Sequence, residues 1–400
     1  MIGRSAGLVL ILLWSVWGQA QSLKDLDWGT DSTLEVASWN IERFPKRGNA
    51  TIDSVGKIIA AMDIDVWALQ EIDDTNDLKR SLRSLPDYKA VFGKVYFRGL
   101  AYVYNTKTVK NAKVSQLFTQ SQYRNPLPRA PLVLEFEYQD STIRVINNHY
   151  KCCGNGSWDR NDPGDEESRR YAGHRLIMDY VNLNWFNERV MVVGDLNDLI
   201  TDPQVHNIFQ QEIDDTNYYF VDMPIAQSSS ANWSYPSWPS HLDHILINKP
   251  LLSTFSSPNQ QVSCVKVDDY LNGGWNDYDY YISDHRPVAY RFALGVAQDQ
   301  DTTKQDTALG INLDNLAKES AFRIFPNPST SNSRLEWQKD VEVSRIVVKE
   351  MSGKTIQDIS INPRAADRSI PLQLPRAGWY WVQCFHEGEV LDVLPAIVLE

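Results

Sequence analysis

An apolar run passes directly into a polar turn in Val190-Met191-Val192-Val193-Gly194-Asp195-Leu196-Asn197. The four apolar residues predict a buried strand, and Gly194 allows the backbone to turn sharply after it. Asp195 and Asn197 are two residues apart, so they point to the same side of the chain. The alternative is an ordinary turn between a strand and a loop, since Asp, Asn and Gly are common in turns. Taken alone, the stretch fits both interpretations.

Four further polar motifs end or follow apolar, strand-like runs. They are Asn40-Ile41-Glu42, Gln70-Glu71, Asn148-His149 and Ser283-Asp284-His285. A carboxylate that ends a buried strand, such as Glu71, costs free energy unless it is paired or bound to a metal. Taken singly, Glu71 also fits a solvated strand end, and Asp284-His285 fits a capping turn. The five motifs together, in one order over about 250 residues, favour a metal-assisted phosphodiesterase.

The histidines of these motifs are candidate acid-base groups. A histidine needs an orienting partner to serve as an acid or a base. Asp243, in Leu242-Asp243-His244, is the candidate partner. The sequence leaves open whether this carboxylate serves His285 or His149.

Hydrophobic periodicity predicts the other elements of the first part of the chain. Helices are expected at Asp53 to Met62 and at Glu166 to Phe186. Strands are expected at Leu34 to Trp39, Ile64 to Leu69, Leu100 to Tyr104, Leu132 to Phe136, Ile143 to Asn147, His244 to Ile247 and Val288 to Phe292. The loop from Ser228 to Ser240 carries Trp233, Tyr235 and Trp238. Long aromatic loops beside catalytic strand ends commonly select the substrate.

The composition limits the possible binding modes. A formal net charge of -12 argues against tight, non-specific wrapping of nucleic acid, which needs a basic surface. It leaves room for a nuclease that releases its product quickly, because a bound divalent metal and a few arginines provide local positive potential. The length of 400 residues suggests two or three domains.

The N-terminus predicts export. Arg4 precedes the apolar run from Leu8 to Trp17, and Gly18-Gln19-Ala20 supplies the small residues that a signal peptidase reads. We therefore expect a signal peptide at residues 1–20, with an uncleaved membrane anchor as the alternative.

Export permits disulfides. The four cysteines allow three complete pairings; they are Cys152, Cys153, Cys264 and Cys384. We expect Cys264 to pair with Cys152 or Cys153. The alternatives are a bond between Cys152 and Cys153, or free thiols.

The five motifs resemble those of the endonuclease/exonuclease/phosphatase superfamily, over roughly residues 34–294. The resemblance implies a four-layer α/β/β/α sandwich and a Mg²⁺ ion, with Mn²⁺ as a substitute and Ca²⁺ as a possible structural ion. It implies that Glu71 holds the metal, that Asn40 supports it and that Asp284 helps to bind it.

The resemblance also implies roles in the reaction. Asp195 is expected to activate or position the attacking water, while His149 and Asn197 hold the scissile phosphate. His285 is the expected acid-base group, with the choice of base between Asp195 and His285 left open. Arg129, in Pro128-Arg129-Ala130-Pro131, resembles an element whose arginine contacts phosphate.

Details of the motifs favour a secreted bacterial nuclease, resembling deoxyribonuclease, that acts as a monomer on nucleic acid. Asp198 and Leu242-Asp243-His244 stand where inositol-polyphosphate phosphatases carry an arginine and a Cys-Asp-Arg element. The expected signal peptide argues against an intracellular repair endonuclease. A secreted sphingomyelinase shares the catalytic set and remains an alternative, as does an inactive binding or adhesion protein on the same fold. DNA is not distinguished from RNA, nor endonuclease from exonuclease.

The composition changes after Leu294. Residues 295–320 have the polar composition of a linker, and strand-like runs separated by glycines predict a small all-β sandwich at residues 321–400. Three motifs resemble the type A sorting domain of the type IX secretion system of Bacteroidota: Phe325-Pro326-Asn327-Pro328, Ser352-Gly353-Lys354 and Ala377-Gly378-Trp379-Tyr380. The resemblance implies export to the cell surface or medium by that machinery. A carbohydrate-binding or adhesion module is the alternative.

Overall fold

A computed structural model describes two compact units, divided between Asp299 and Gln300. The described residues are 22–95, 99–255, 259–294, 322–325, 332–338, 341–350, 355–362, 368–375, 378–386 and 389–398. The expected signal peptide and linker lie outside them, as do the motif residues 326–328, 352–354 and 377.

The first unit contains twelve strands and seven α-helices among the described residues. The strands are β1 (Leu34–Phe44), β2 (Val66–Ile72), β3 (Tyr88–Phe92), β4 (Ala101–Asn105), β5 (Lys110–Gln116), β6 (Leu132–Tyr138), β7 (Ser141–His149), β8 (Arg189–Asp195), β9 (Tyr218–Phe220), β10 (Asp243–Asn248), β11 (Gln261–Cys264) and β12 (Val288–Phe292). The helices are α1 (Asn49–Met62), α2 (Thr75–Ser81), α3 (Glu166–Asn184), α4 (Gln210–Asp214), α5 (Met223–Ala226), α6 (Leu252–Phe255) and α7 (Trp275–Tyr281).

The strands form two six-stranded sheets. Sheet 1 has the order β11-β12-β1-β2-β4-β3, and sheet 2 has the order β5-β6-β7-β8-β10-β9. In each sheet one central pair is parallel, β1 with β2 and β7 with β8. The carboxyl ends of the parallel strands therefore meet at one edge of their sheet.

The two sheets pack face to face, with helices on their outer faces. Along β1, Val36 faces the core between the sheets while Trp39 packs against α1, as the two-residue period of a strand requires. On the other side, α3 packs Ile177 and Val181 against Val192 of sheet 2. The predicted four-layer α/β/β/α sandwich is confirmed.

The second unit consists of two small antiparallel sheets. Their strands are β13 (Phe322–Phe325), β14 (Asn332–Trp337), β15 (Arg345–Glu350), β16 (Thr355–Ser360), β17 (Ser369–Gln373), β18 (Gly378–His386) and β19 (Glu389–Val398). The sheet orders are β13-β14-β17 and β16-β15-β18-β19. A separate buried cluster that includes Leu335, Val348 and Val382 forms its core. The expected all-β fold of this region is therefore confirmed.

The expected disulfide of Cys264 is wrong for this structure. Cys264 is buried in the core between the sheets, whereas Cys152 and Cys153 are exposed on the loop after β7. All three are free thiols, and the sulfur atoms of Cys152 and Cys153 lie 3.0 Å apart. The predicted pairing is therefore absent from this structure.

Candidate active site

The predicted site residues of the first unit meet at one edge of the two sheets. Asn40 lies in β1 and Glu71 near the end of β2, while His149 and Asp195 end the parallel strands β7 and β8. Asp243 begins β10. This strand runs antiparallel to β8, and the register pairs Asp243 with Asp195. The motif Ser283-Asp284-His285 shortly precedes β12.

Gly194 allows β7 and β8 to approach closely at this edge. It has a φ of 142°, and a Cβ atom there would lie 2.0 Å from the carbonyl oxygen of Asn148. Only glycine can make this approach without moving a backbone. The resulting register sets His149 beside Asp195.

Asn40 links two carboxylates. Its Nδ2 atom donates to Asp195 Oδ2 at 2.9 Å and to Glu71 Oε1 at 3.3 Å, while its Oδ1 atom accepts from the backbone N–H of Glu42. The other oxygen of Glu71 accepts from the backbone N–H of Arg43 at 3.0 Å. These bonds fix the orientation of Glu71.

Asp243 is the partner of His285. Its Oδ2 atom lies 2.7 Å from Nδ1 of His285, and Nε2 of the same ring lies 3.9 Å from Asp195 Oδ2. Burial disfavours the imidazolium, but the carboxylates of Asp243 and Asp195 outweigh it and raise the pKa of His285 to about 10. The sequence leaves open whether Asp243 serves His285 or His149, and the structure favours His285. The ring of Tyr235 packs on the other side, with its centroid 4.8 Å from that of His285.

His149 carries the opposite perturbation. Burial lowers its pKa well below the usual value, and the positive charges of Arg129 and His285 add to this effect. Its Nε2 atom lies 3.5 Å from Asp195 Oδ2 and 3.9 Å from Glu71 Oε1. The neutral ring can therefore present an N–H to an oxygen ligand beside both carboxylates.

Arg129 and Asn197 flank the same edge. Arg129 Nη1 donates to the carbonyl of Tyr150 at 3.2 Å, and Asn197 Nδ2 donates to that carbonyl at 3.4 Å. An open groove of about 450 Å³ runs past Arg129, His149 and Glu71. A ligand in this groove can contact a cation, a neutral imidazole and a carboxylate.

Asp284 adds a fourth carboxylate to Glu71, Asp195 and Asp243. Burial raises its pKa to about 6, and the negative charges of Glu42 and Glu71 contribute. The Oε2 atom of Glu42 accepts from the backbone N–H of Asp284 at 3.2 Å. Glu42 belongs to the motif Asn40-Ile41-Glu42, but the sequence assigns it no role. Its position two residues after Asn40, on the same face of β1, was the available signal.

The donors fit a hard divalent cation. Burial raises the pKa of Asp195, His285 opposes this rise and the charges of Asp243 and Glu71 add to it, with a net pKa of about 6. This accumulation of negative charge is what a carboxylate-bound Mg²⁺ or Mn²⁺ offsets. Glu71 and Asp284 offer oxygen ligands, whereas the amide of Asn40 is bonded to its neighbours and orients Glu71.

A second group of possible metal ligands lies deeper in the fold. The ligand atoms of Asp222, His241 and His244 lie within 4.8 Å of one another, and all three residues are buried. Hydrogen bonds account for their arrangement. Asp222 Oδ2 accepts from His241 Nε2 at 3.1 Å and from His244 Nδ1 at 2.6 Å, and His244 Nε2 donates to the carbonyl of Asp198. The group therefore braces the segment that leads to Asp243.

The sequence profile of the Endonuclease/Exonuclease/phosphatase family matches residues 37–285, more than half of the chain. The chain belongs to this family. Members of the Endonuclease/Exonuclease/phosphatase family are generally hydrolytic, metal-dependent phosphodiesterases and nucleases. The match includes every site residue discussed above.

Solved structures of the Endonuclease/Exonuclease/phosphatase family have the same fold. D. rerio TDP2 complexed with single strand DNA product is 16% identical with a TM-score of 0.50, and the match covers 66% of this chain and 100% of that chain. A family member from Bacteroides vulgatus is 12% identical with a TM-score of 0.47, covering 66% of this chain and all of that one. At 16% identity the likeness to D. rerio TDP2 shows the fold alone. No curated protein sequence matches the chain significantly.

The second unit is a sorting domain. Residues 323–392 match the secretion system C-terminal sorting domain, which directs type IX secretion to the cell surface or extracellular space in Bacteroidota. Among the residues that the structure describes, no helix has the length and apolarity needed to cross a bilayer. This member of the Endonuclease/Exonuclease/phosphatase family is therefore exported.

Proposed function

We propose that the protein is a secreted, metal-dependent nuclease that hydrolyses phosphodiester bonds of environmental DNA or RNA. One observation carries the proposal: Glu71, Asp195 and the Asp243–His285 pair converge at one sheet edge. The groove beside them is lined by Arg129 and His149, which suit a phosphate ligand.

Glu71 and Asp284 would hold a divalent ion, with Mg²⁺ as the natural candidate. Such an ion supplies stabilisation of the negative charge that develops on the reacting phosphate. Asn40 would keep Glu71 in place through the hydrogen bond described above.

His149, Asn197 and Arg129 would bind the phosphate oxygens. The neutral imidazole of His149 and the amide of Asn197 donate hydrogen bonds, while Arg129 contributes a positive charge. These groups would hold the scissile phosphate between the metal ligands and His285.

The perturbed pKa values support a division of labour between Asp195 and His285. With a pKa of about 6, Asp195 is mostly ionised at neutral pH and can accept a proton from the attacking water. With a pKa of about 10, His285 is protonated at neutral pH and can donate a proton to the leaving oxygen. We therefore propose Asp195 as the base and His285, oriented by Asp243, as the acid.

The test is a substrate panel with the purified protein. Plasmid DNA, linear single-stranded DNA, RNA and sphingomyelin are each incubated with Mg²⁺ and with excess EDTA. We expect cleavage of nucleic acid that EDTA abolishes. Cleavage of sphingomyelin with DNA and RNA left intact would overturn the nuclease assignment, and activity unaffected by EDTA would overturn the metal.

A further inference from the structure

A short hairpin stands beside the candidate active site. The backbones of Tyr235 and Ser240 exchange hydrogen bonds of 3.0 and 3.1 Å, which leaves Pro236-Ser237-Trp238-Pro239 as the tip. Trp238 is 77% exposed. The two prolines restrict the backbone of the tip that carries Trp238.

The base of this hairpin is bonded to the catalytic segments. The hydroxyl of Ser234 accepts from the backbone N–H of Asp243 at 3.2 Å, and its carbonyl accepts from the backbone N–H of Arg286 at 2.8 Å. Tyr235 packs on the ring of His285. The position of Trp238 is therefore tied to the residues proposed for the chemical step.

Helix α7 places further aromatic residues near the same histidine. Tyr280 and Tyr281 are 51% and 42% exposed, and they precede His285 by only a few residues. The guanidinium of Arg47 lies 4.1 Å from the centroid of the Tyr280 ring. This pair combines an aromatic face with a positive charge at the surface.

The exposed aromatic residues are concentrated around this site. Among the side chains that the structure describes in the first unit, four aromatic ones are more than a third exposed: Phe186, Trp238, Tyr280 and Tyr281. All except Phe186 belong to the two segments that flank His285. An enzyme with a net charge of -12 gains little affinity from phosphate contacts alone, whereas stacking of bases on aromatic rings does not depend on a basic surface.

We infer that Trp238 and Tyr280 form a base-stacking subsite, so that the enzyme prefers substrates whose bases are unpaired near the scissile phosphate. The inference rests on the proposed nuclease function and narrows its substrate to single-stranded nucleic acid. A base in a duplex is stacked on its neighbours and cannot lie on an external ring. A lipid surface is less suited to this subsite, because the hairpin tip offers one large apolar side chain and Arg47 is bonded to the carbonyl of Tyr280 within the protein.

The experiment compares Trp238→Ala and Tyr280→Ala with the control Phe186→Ala in the full chain. Phe186 is also an exposed aromatic residue. It precedes the start of β8, whereas Asp195 ends that strand, and the two ends of the strand are about 20 Å apart. Each protein is assayed with a labelled single-stranded oligonucleotide, the matching duplex and bis(p-nitrophenyl) phosphate, a small diester without bases. The measure is kcat/KM for the single strand relative to that for the small diester.

We expect this ratio to fall about five- to a hundred-fold in Trp238→Ala, mainly through KM, as the loss of one base stack predicts. Trp238→Phe should restore most of it, and Phe186→Ala should leave it unchanged. Equal wild-type activity on the duplex and the single strand would overturn the subsite while leaving the nuclease function intact. Loss of binding to sphingomyelin vesicles in Trp238→Ala, with the ratio unchanged, would assign the hairpin to lipid. Hydrolysis of the small diester alone by the wild type would refute the nuclease proposal itself.

Discussion

Glu71 has a backbone conformation that is uncommon for its residue type. Its φ is 60°, in the left-handed region that costs a non-glycine residue free energy. The hydrogen bonds from Asn40 and from the backbone of Arg43 hold the carboxylate in place. Strain of this kind concentrates at functional sites, which agrees with the role proposed for Glu71 in binding the metal.

We predict that Glu71→Gln lowers kcat by orders of magnitude, because the variant lacks a negatively charged ligand for the cation. The backbone need not change, so the fold should survive. Activity is measured over a titration with Mg²⁺, and folding is followed by circular dichroism. The matched control is Asp73→Asn, an exposed carboxylate that lines the same groove and should leave activity nearly unchanged. Full activity of Glu71→Gln would refute the metal assignment.

A second prediction concerns the pH dependence of the reaction. Asp243 helps to raise the pKa of His285 to about 10, so Asp243→Asn should lower that pKa. An acid that loses its proton at lower pH moves the alkaline limb of the pH–rate profile to lower pH. We expect this shift in kcat, together with a fall in kcat of about 10²-fold or more from lost orientation. An alkaline limb that stays in place in Asp243→Asn would contradict the role of His285 as the acid.

At the residue scale, the sequence predicts most residues of the candidate site but not the contacts between them. The strand-end motifs identify Glu71 on β2 and Asp195 on β8, but these strands belong to different sheets, and the packing of the two sheets brings the residues together. The choice of partner for Asp243, and the proximity of Glu42 to Asp284, depend on contacts between residues more than 40 and more than 240 positions apart. Short-range patterns contain no information about these contacts.

At the scale of elements, the join between β7 and β8 depends on Gly194. We predict that Gly194→Ala lowers the free energy of unfolding by about 2–4 kcal/mol, since it adds both a clash with Asn148 and backbone strain. Gly156→Ala is the comparison, because Gly156 also has a positive φ but has nothing within 4 Å of the added Cβ. Gly156→Ala should lower the free energy of unfolding by about 1 kcal/mol. Urea unfolding measures both, and equal losses would show that the close approach of β7 is not important.

Hydrophobic periodicity in the sequence predicts the long, strongly apolar strands and helices, but it does not predict a short edge strand. The expected strand Leu34 to Trp39 forms the first part of β1. The expected helix Glu166 to Phe186 corresponds to α3, which ends two residues earlier. No strand was expected at β5, at the edge of sheet 2, where Ala112 and Val114 are the only apolar residues. An edge strand buries little surface, so its sequence is weakly constrained and its pairing is decided by the neighbouring strand.

At the scale of the whole molecule, the candidate active site lies in the first unit and the sorting domain in the second. We predict that truncation after Ser320 leaves a soluble, active enzyme in vitro, because the three core clusters of the first unit are built from its own described residues. The truncated enzyme should remain in the periplasm of its native host, which fractionation and zymography can show. Continued secretion, or a folded but inactive product, would contradict this prediction.

The buried cysteines make each unit chemically distinguishable during unfolding. Cys264 lies in the interior of the first unit, where burial raises the pKa of its thiol, and Cys384 lies in the interior of the second. An alkylating reagent reacts with the thiolate, so it can modify each of these residues only after its own unit has opened. Exposed Cys152 and Cys153 react at once and calibrate the reagent. The protein is alkylated briefly at a series of denaturant concentrations, and the modified peptides are quantified by mass spectrometry. One sample would thus give separate unfolding curves for the first unit and for the sorting domain.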